Sequence, residues 1–435
     1  MNTFYRVATL SVIASFALLA CGDSGSDTIL ETLAVKTAPA GATAEAGTTL
    51  TATVVAKAES GARLAGVSLS ARVTAGGGAL DVATVTTDDA GVATVTWTVG
   101  VAPIDNRLTF EADGGILGSA TVRATMGVEP VPTAFGDVDA FLTGLDREGS
   151  TEGLAFAADD TLLIGVPRGL ALIDADGTAH AVDPGGVGVA HPLGLAAASD
   201  GGMWVCDSEA GALVLVGADG IARSVVDHDG DDALETPNSV AIGPDGLVYF
   251  TDSCLGRLYQ IDPATGAILS RVQTDLMTQG SPNGIAFDDA GRIWFTTENT
   301  GLLCGHADVE LTAPLAGLFR VDIGSDGLGV PVAVQEHVGL FGDGLGFDAE
   351  GNLYAIFDTA IVLNLDESIV FVLPAGETTL TRFFGVKGSI LANLAFGQGE
   401  YGETTLYFSL LSVVPFVPKE ARGVVRLPIG VRGRL

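Results

Sequence analysis

The feature of this sequence that most constrains its fold is a phrase that recurs along the last two thirds of the chain. Residues 236–252 read TPNSVAIGPDGLVYFTD, and residues 281–297 read SPNGIAFDDAGRIWFTT. Each copy has a Pro-Asn turn, a short apolar run, a turn rich in Asp and Gly, and a second apolar run that carries an aromatic residue. Asn238 and Asn283 lie 45 residues apart, and a period of this length is typical of propellers and other repeat arrays.

Four more stretches follow the phrase more loosely, and they begin at Thr151, His191, Gly342 and Leu391. When all six copies are aligned on the first apolar run, one column carries an oxygen-bearing side chain in five of the six copies. The column consists of Glu152, Leu193, Asn238, Asn283, Asp343 and Asn393. Successive members of the column are 41 to 60 residues apart, and helical periodicity is absent. The pattern predicts an all-β six-bladed β-propeller over residues 135–435.

Residues 29–127 form a separate block in which apolar and polar residues alternate between Gly and Asp turns. This alternation is typical of strands in an antiparallel sandwich. The stretch TTDDAGVA from Thr86, followed by Trp97, resembles bacterial Ig-like domains of the invasin type, as does AGVSL from Ala65. The resemblance implies an Ig-like β-sandwich, which we interpret as a spacer or stalk. A linker is predicted at 128–134.

The first residues of the chain predict a targeting segment. Arg6 precedes an apolar run, Val7–Ala20, whose 14 residues are too short to span a bilayer comfortably. The run ends in LLAC, which resembles a bacterial lipobox. We therefore expect a lipoprotein signal peptide at 1–21, a lipidated Cys21, a linker at 22–28, and a location in the bacterial cell envelope, at the periplasmic or outer surface of the outer membrane. The alternative is an ordinary signal peptide in which Cys21 is incidental.

The charge balance limits the possible partners. The chain has 53 acidic residues against 21 Lys and Arg, for a formal net charge of −32. Nucleic acid is not an expected partner, because binding to duplexes depends on Lys and Arg. A cation partner fits this charge, and so does a simple solvated acidic surface. We expect a monomer.

The column of oxygen-bearing residues predicts a metal site. In a propeller, equivalent positions lie at one height around the axis, so these side chains are expected at one mouth of the central channel. Ca²⁺ takes six to eight oxygen ligands, whereas softer metals prefer imidazole or thiolate. The predicted ligands are Glu152, Asn238, Asn283 and Asp343, with Asn393 as a further candidate. The alternative is that Asn and Asp before Gly are ordinary turn residues.

The same motifs resemble a known family. EG at 152, TPNS at 236 with YFTD at 249, SPNGIAF at 281, and DG at 343 with DAEGNLY at 348 are similar to the senescence marker protein/gluconolactonase family. That group includes calcium-dependent lactonases, phosphotriesterases and strictosidine-synthase-like propellers. The resemblance covers roughly residues 135 to 430. One departure is Ser239, which follows Asn238 where gluconolactonases often have Asp.

The resemblance implies a hydrolase with a catalytic divalent metal, usually Ca²⁺, held by Glu152, Asn238, Asn283 and Asp343. It also implies a small lactone or ester substrate and a role for Asp343 as base or nucleophile. His191 is a candidate for assisting catalysis, although a lone histidine is more often structural. The rival function is a non-catalytic, lipid-anchored binding or scaffold propeller with a structural calcium, because a fold alone does not give a function.

Two further features leave alternatives open. Cys254 and Cys304 each follow a second strand of adjacent repeats, so they either form a disulfide or remain apart, and Cys206 is expected to be a buried free thiol. The run 227–232, DHDGDD, resembles a calcium loop but lacks the Gly and Glu of an EF-hand. It is either a second ion site or a solvated acidic loop.

Overall fold

The computed structural model describes residues 29–138, 151–182, 185–186, 188–274, 277–278, 280–298, 304, 316–358, 367–411 and 423–434. Within these ranges the regular structure is almost entirely β-strand, with a short 3-10 helix at Gly399–Tyr401. The prediction of an all-β chain is confirmed. No helix in the described ranges is sufficiently long and apolar to cross a membrane.

The N-terminal unit consists of two sheets that enclose their own core. The strand orders are β1-β3-β7-β5 and β2-β9-β8-β4-β6. Alternate residues of β3 are buried, and Trp97 and Phe110 are among the fully buried side chains of this core. The strands are β1 (Leu30–Ala38), β2 (Thr43–Glu45), β3 (Thr49–Ala58), β4 (Ser68–Ala75), β5 (Gly78–Leu80), β6 (Thr84–Thr86), β7 (Val92–Val99), β8 (Asp105–Ala112) and β9 (Ile116–Thr125).

The remaining strands form six larger sheets and two small two-stranded ones within the described residues. They are β10 (Thr133–Gly136), β11 (Leu154–Phe156), β12 (Leu162–Val166), β13 (Gly169–Ile173), β14 (Ala179–Val182), β15 (Gly185–Gly186), β16 (Pro192–Ala197), β17 (Met203–Asp207), β18 (Ala212–Val216), β19 (Ile221–Val226), β20 (His228–Asp229), β21 (Asp232–Ala233), β22 (Pro237–Ile242), β23 (Val248–Asp252), β24 (Arg257–Ile261), β25 (Ile268–Gln273), β26 (Pro282–Phe287), β27 (Ile293–Thr297), β28 (Ala316–Val321), β29 (Ile323–Gly324), β30 (Gly327–Leu328), β31 (Val332–Gly339), β32 (Phe341–Phe347), β33 (Leu353–Asp358), β34 (Ser368–Leu373), β35 (Thr381–Val386), β36 (Ile390–Phe396), β37 (Thr405–Leu411) and β38 (Gly423–Pro428).

We number the six larger sheets in chain order. Sheet I is β11-β12-β13-β14, sheet II is β16-β17-β18-β19-β15, and sheet III is β22-β23-β24-β25. Sheet IV is β26-β27-β28-β31, sheet V is β32-β33-β34-β35, and sheet VI is β36-β37-β38-β10. The first strand of each sheet contacts the first strands of its two neighbours, and β36 contacts β11, so the ring of first strands closes. This arrangement is propeller-like.

Sheet VI takes its outermost strand from the other end of this ring. β10 pairs antiparallel with β38, with Thr133 opposite Arg426. Thr133 and Ala134, which the sequence analysis assigned to a linker, therefore belong to a strand of the sheet. The pairing joins the two ends of the ring, and it gives sheet VI its fourth strand.

The N-terminal unit packs against one face of the ring. The column positions lie where first strands begin, at the face that we call the mouth. The turns between first and second strands therefore lie at the opposite face. The backbone N–H of Gly76 donates to both carboxylate oxygens of Glu350 in such a turn, at 3.0 and 3.1 Å. Arg123 pairs with Glu377 of the same face at 2.7 Å. The N-terminal unit thus docks away from the mouth.

The beginning of β1 lies at the far end of the N-terminal unit. Leu30 pairs with Ala58 at the end of β3, whereas Thr49 at the start of β3 pairs with Thr98, close to the docked end. A strand of this length spans about 30 Å. The described chain therefore begins about that far from the contact with the ring, on the side remote from the mouth.

Candidate metal centre

Five of the six column positions coincide with an irregularity in a first strand, and the sixth, Glu152, lies just before its strand. The pairing of first and second strands shifts register at five column positions, which is the mark of a β-bulge. The shifts lie between Pro192 and Gly194, between Pro237 and Val240, between Pro282 and Ile285, between Gly342 and Leu345, and between Leu391 and Leu394. A bulge redirects a side chain out of the regular alternation of a strand. Because the bulge recurs at the same position, we expect it to redirect these side chains in the same way.

Hydroxyl groups on the second strands hold these bulges in place. Thr251 accepts a hydrogen bond from the N–H of Ser239 in its own sheet, at 3.0 Å, and donates to the carbonyl of Asn283 in the next sheet, at 2.8 Å. Thr296 repeats the pattern and donates to the carbonyl of Asp343 at 2.6 Å. Each hydroxyl therefore satisfies a buried donor in one sheet and a buried acceptor in the next, which couples adjacent column residues.

The same device closes the ring between its last and first sheets. Ser409 accepts from the N–H of Asn393 at 2.9 Å and donates to the carbonyl of Glu152 at 2.5 Å. Glu152 lies two residues before β11, and Thr151 beside it donates to the carbonyl of Leu410 at 2.6 Å. The backbone of Glu152 is thereby fixed against sheet VI.

Glycine follows the column residue in four of the six copies, and the ring requires it there. A Cβ added at Gly284 would lie 2.4 Å from the carbonyl oxygen of Asp343, and one at Gly194 would lie 2.3 Å from that of Asn238. Neighbouring first strands approach this closely only where one of them lacks a side chain. The close approach brings successive column residues to one level around the axis.

The four predicted ligands are all buried. Glu152 and Asp343 are each 9% exposed, Asn238 is 5% exposed, and Asn283 is 4% exposed. Burial raises the pKa of Glu152 to about 8, and the charge of Glu298 adds to the rise. Burial also raises the pKa of Asp343 well above its usual range, and the charge of Glu152 is the next largest cause. The two carboxylates therefore lie close enough to repel each other when both are ionised.

Two further acidic residues at the mouth were missed by the sequence analysis. Glu298 directly follows β27, and Asp358 ends β33. The pairing registers place both at the position that Ser253 occupies in sheet III. This position lies at the mouth end of the second strand, next to the first strand that carries the column residue. The sequence carries the signal as a second column, at the end of the second apolar run of each repeat, in which Ser253, Glu298 and Asp358 align.

Burial also dominates the electrostatics of these two residues. It raises the pKa of Glu298 to about 7, and the neighbouring Asn283 and Ser253 partly offset the rise. It raises the pKa of Asp358 to about 7, and Ser368 offsets part of that rise. The Oδ1 atom of Asp358 is buried with no hydrogen-bond partner among the described residues. Four buried carboxyl groups thus converge at the mouth.

The structure separates Asn393 and His191 from the other candidates. The side-chain oxygen of Asn393 accepts a hydrogen bond from the N–H of Leu394 at 2.8 Å, so its own bulge already uses this oxygen. His191 lies outside the column, where its Nδ1 contacts the hydroxyl of Ser208 at 3.0 Å. Burial lowers the pKa of His191, opposed by the charge of Asp207. His191 is therefore neutral at pH 7.

The described cysteines occupy two different environments. Cys254 and Cys304 form a disulfide with a Cα–Cα distance of 5.3 Å. Cys254 follows Ser253, so this bond lies at the mouth. Cys206 is a buried free thiol on β17. The predicted lipidation site, Cys21, lies outside the described residues.

The acidic run 227–232 is a hairpin held by arginines. β20 and β21 pair with each other, and Asp229 accepts from Arg257 at 3.1 Å and also contacts Arg271. Arg257 reaches Asp232 as well, at 3.1 Å. Two of the carboxylates in the run, Asp229 and Asp232, are therefore neutralised by guanidinium groups from sheet III, which neither alternative of the sequence analysis anticipated.

The chemistry of the mouth fits a hard cation with mixed ligands. Across the ranges that the structure describes, no group of three or more His, Cys, Asp and Glu residues has the geometry to hold a metal ion. A metal site at the mouth therefore has to use amide oxygens in addition to carboxylates. Glu152, Asn238, Asn283 and Asp343 supply that combination, and a dication would relieve the repulsion between the two carboxylates.

Comparisons with known proteins give similarity at the level of fold. No protein-family model matches the chain, and no curated protein does. A gluconolactonase from Xanthomonas campestris is 18% identical over 65% of this chain and 94% of its own, with a TM-score of 0.47. The calcium-binding protein regucalcin from Agrobacterium tumefaciens is 19% identical over 67% of this chain and 94% of its own, with a TM-score of 0.47.

A protein of another class has a similar fold. An auxiliary nutrient-binding protein from Bacteroides ovatus is 14% identical over 92% of this chain and 98% of its own, with a TM-score of 0.46. A fold alone does not give a function, so the function of this chain has to be argued from its own residues.

Proposed function

We propose that this chain is a calcium-dependent hydrolase of lactones or esters, and that its site lies at the mouth of a six-bladed β-propeller. In this proposal, sheets I to VI are the blades and the N-terminal unit is an Ig-like β-sandwich. The observation that carries the proposal is the burial of Glu152 and Asp343 within electrostatic range of each other at bulged strand ends. Without a cation this arrangement is costly, because burial and mutual repulsion both disfavour ionisation.

The proposed ligands are the carboxylates of Glu152 and Asp343 and the amide oxygens of Asn238 and Asn283. Calcium takes six to eight oxygen ligands, so these four residues leave positions for water and substrate. Leu193 occupies the column position between Glu152 and Asn238 and makes that side of the mouth apolar. An open coordination position beside an apolar wall suits a small ester or lactone.

The reaction assigns a separate task to each residue. A bound calcium ion supplies Lewis-acid polarisation of the substrate carbonyl. Asp343 would accept a proton at a carboxylate oxygen from the attacking water and return it to the alkoxide oxygen released when the acyl C–O bond breaks, and the hydrogen bond from Thr296 to its backbone carbonyl fixes its position. His191 lies outside the column and its Nδ1 contacts the hydroxyl of Ser208, so Asp343 and not His191 is the proposed proton acceptor. Leu193 restricts the access of further water.

The test is hydrolysis of a panel of lactones and aryl esters with calcium and with chelator. Asp343→Asn is expected to lower kcat/KM about 100-fold or more, which is the usual contribution of a general base. Asn393→Ala is the matched control, because Asn393 lies in the same column but its oxygen serves its own backbone. Turnover that persists in chelator and in Asp343→Asn would contradict the proposal.

Glu298 favours a second candidate function. Its carboxyl group lies against Asn283, so it is placed to complete the coordination of an ion with protein groups alone. A closed site of that kind would be structural, and the protein would be a non-catalytic propeller that binds or scaffolds a partner. In that case, calcium would raise the melting temperature while the panel gave no turnover in the wild type or in Glu298→Gln.

We propose further that Cys21 is lipidated and anchors a monomer to the bacterial cell envelope, with no role in nucleic-acid binding. The described chain begins at the end of the N-terminal unit remote from the ring, and the mouth is on the other side of the ring. An anchored protein would thus present its mouth away from the membrane, toward soluble substrates. Mass spectrometry of the membrane fraction tests this, and Cys21→Ser should release the protein.

A further inference from the structure

A cleft of about 510 Å³ lies between sheets IV and V at the face opposite the mouth. Its walls come from the turn before β27, the beginning of β31 and the two turns of sheet V at that face. Apolar groups such as Val334, Leu353 and Pro374 form much of the lining, and Arg292, Arg320 and Arg434 also contribute. A volume of this size is typical of sites for small ligands.

The carboxylates that line the cleft already have partners. Asp288 accepts from Arg292 at 2.6 Å and from the indole N–H of Trp294 at 2.8 Å. Asp289 pairs with Arg434 at 2.6 Å. The remaining two, Glu350 and Glu377, bind Gly76 and Arg123 of the N-terminal unit. These contacts neutralise or satisfy the acidic groups and also account for Arg292 and Arg434.

Arg320 is the arginine of the cleft that lacks a close carboxylate among the described residues, whereas Arg434 keeps Asp289 at 2.6 Å although its Nη2 makes no well-aligned hydrogen bond. The carboxylate nearest to Arg320 is that of Asp322, at 3.9 Å, which is beyond hydrogen-bond distance. Its Nε is enclosed by protein without an acceptor among the described residues, while 29% of the side chain remains exposed, so the rest of the side chain is what a ligand can reach. Its guanidinium lies over the ring of Trp294, 5.9 Å from the centroid. A contact of this kind attracts the guanidinium to the face of the ring.

We propose that this cleft binds a small organic monocarboxylate with an apolar body. Arg320 would hold the carboxylate, because a guanidinium presents a planar fork that matches carboxylate geometry. Val334, Leu353 and Pro374 would cover the apolar body. One anionic group is expected, because one guanidinium in the cleft lacks a close partner. The site is independent of the mouth and of its metal.

The test is an NMR titration of the full-length protein with benzoate, with benzamide as the uncharged match. The signal to follow is the indole N–H of Trp294, identified by its loss in Trp294→Phe. Benzoate is expected to shift this signal in a saturable way, and benzamide is not. Arg320→Gln should weaken benzoate binding about tenfold or more, as expected for a lost charge-assisted hydrogen bond. Arg320→Lys, which keeps the charge but not the planar guanidinium, should bind benzoate with an affinity between those of the wild type and Arg320→Gln.

Arg223→Gln is the control, because Arg223 makes an exposed pair with Asp219 in sheet II, away from the cleft. It should bind benzoate as the wild type does. An equal response to benzoate and benzamide would overturn the proposal, as would unchanged binding by Arg320→Gln. An equal response to sulfate and benzoate would overturn it too, since it would mean that the apolar walls contribute nothing. None of these outcomes depends on calcium or on hydrolysis.

Discussion

Replacing Glu152 by Gln should stabilise the metal-free protein at alkaline pH. The pKa of Glu152 rises from 4.5 to about 8 in the folded protein, chiefly because the carboxyl group is buried. Its contribution to stability is fully present below pH 4.5 and is lost as pH rises to 8, because the unfolded chain ionises this group freely across that window. A difference of one pKa unit corresponds to about 1.4 kcal/mol, so the free energy of unfolding should fall by about 4 kcal/mol between pH 4.5 and pH 8.

The assay is urea unfolding with chelator at several pH values between 5 and 8. The free energy of unfolding of the wild type should fall toward pH 8, and Glu152→Gln should remove most of that fall, because glutamine keeps the shape of the side chain but does not titrate. Calcium at one hundred times its dissociation constant should add about 2.7 kcal/mol to the wild type at pH 8 and much less to the variant.

Two results would refute this reasoning. One is a pH dependence that is the same in Glu152→Gln and in the wild type, which would mean that Glu152 is not held in an unfavourable environment. The other is equal stabilisation of both proteins by calcium, which would mean that the ion binds elsewhere. Glu111→Gln on the N-terminal unit is a suitable control, because Glu111 is exposed and far from the mouth.

Two further predictions concern the scaffold of the site, and a third concerns the linker that precedes the ring. Thr296→Val should cost about 1–3 kcal/mol of unfolding free energy in urea, because two buried backbone groups lose their partner, while Thr296→Ser should cost little. Gly284→Ala should cost at least about 2 kcal/mol and weaken calcium binding measured by calorimetry, because the added Cβ would collide with the carbonyl of Asp343. Arg382→Gln should speed proteolytic cleavage of the linker in a timed digest, because Arg382 binds Glu129 at 2.6 Å, and an unchanged rate would mean that the linker is held by other contacts.

The strand pattern was readable from the sequence because it is local. Alternation, turn residues and the repeated phrase fall within single segments, so they predict an all-β chain and show where its first and second strands begin. The pairing of β10 with β38 joins segments from the two ends of the ring, and Thr133 was assigned to a linker because a Pro-rich stretch immediately precedes it.

The parts that were missed depend on contacts between distant residues. Glu298 and Asp358 reach the mouth through the pairing of second strands with bulged first strands, and a shift of one or two residues would have directed them elsewhere. The acidic run at 227–232 resembled a calcium loop because its partners, Arg257 and Arg271, lie on other strands. Sequence spacing does not reveal such pairs.

The hydroxyl groups that join the sheets were also missed. Thr251 and Thr296 read as ordinary β-branched strand residues, which suit any half-buried strand. Their role became visible only when each was seen to bridge its own bulge and the carbonyl of the next column residue. The sequence therefore gives the candidate ligands, while the structure gives the reason that they lie at one level.

The most direct test of the account is a crystal structure of the protein grown with calcium. The account predicts one ion at the mouth, with oxygens of Glu152, Asn238, Asn283 and Asp343 within 2.3–2.6 Å, the usual range for this ion. An ion bound by Asp229 and Asp232 with none at the mouth would contradict it. So would a mouth that holds no ion at saturating calcium and a pH above 8.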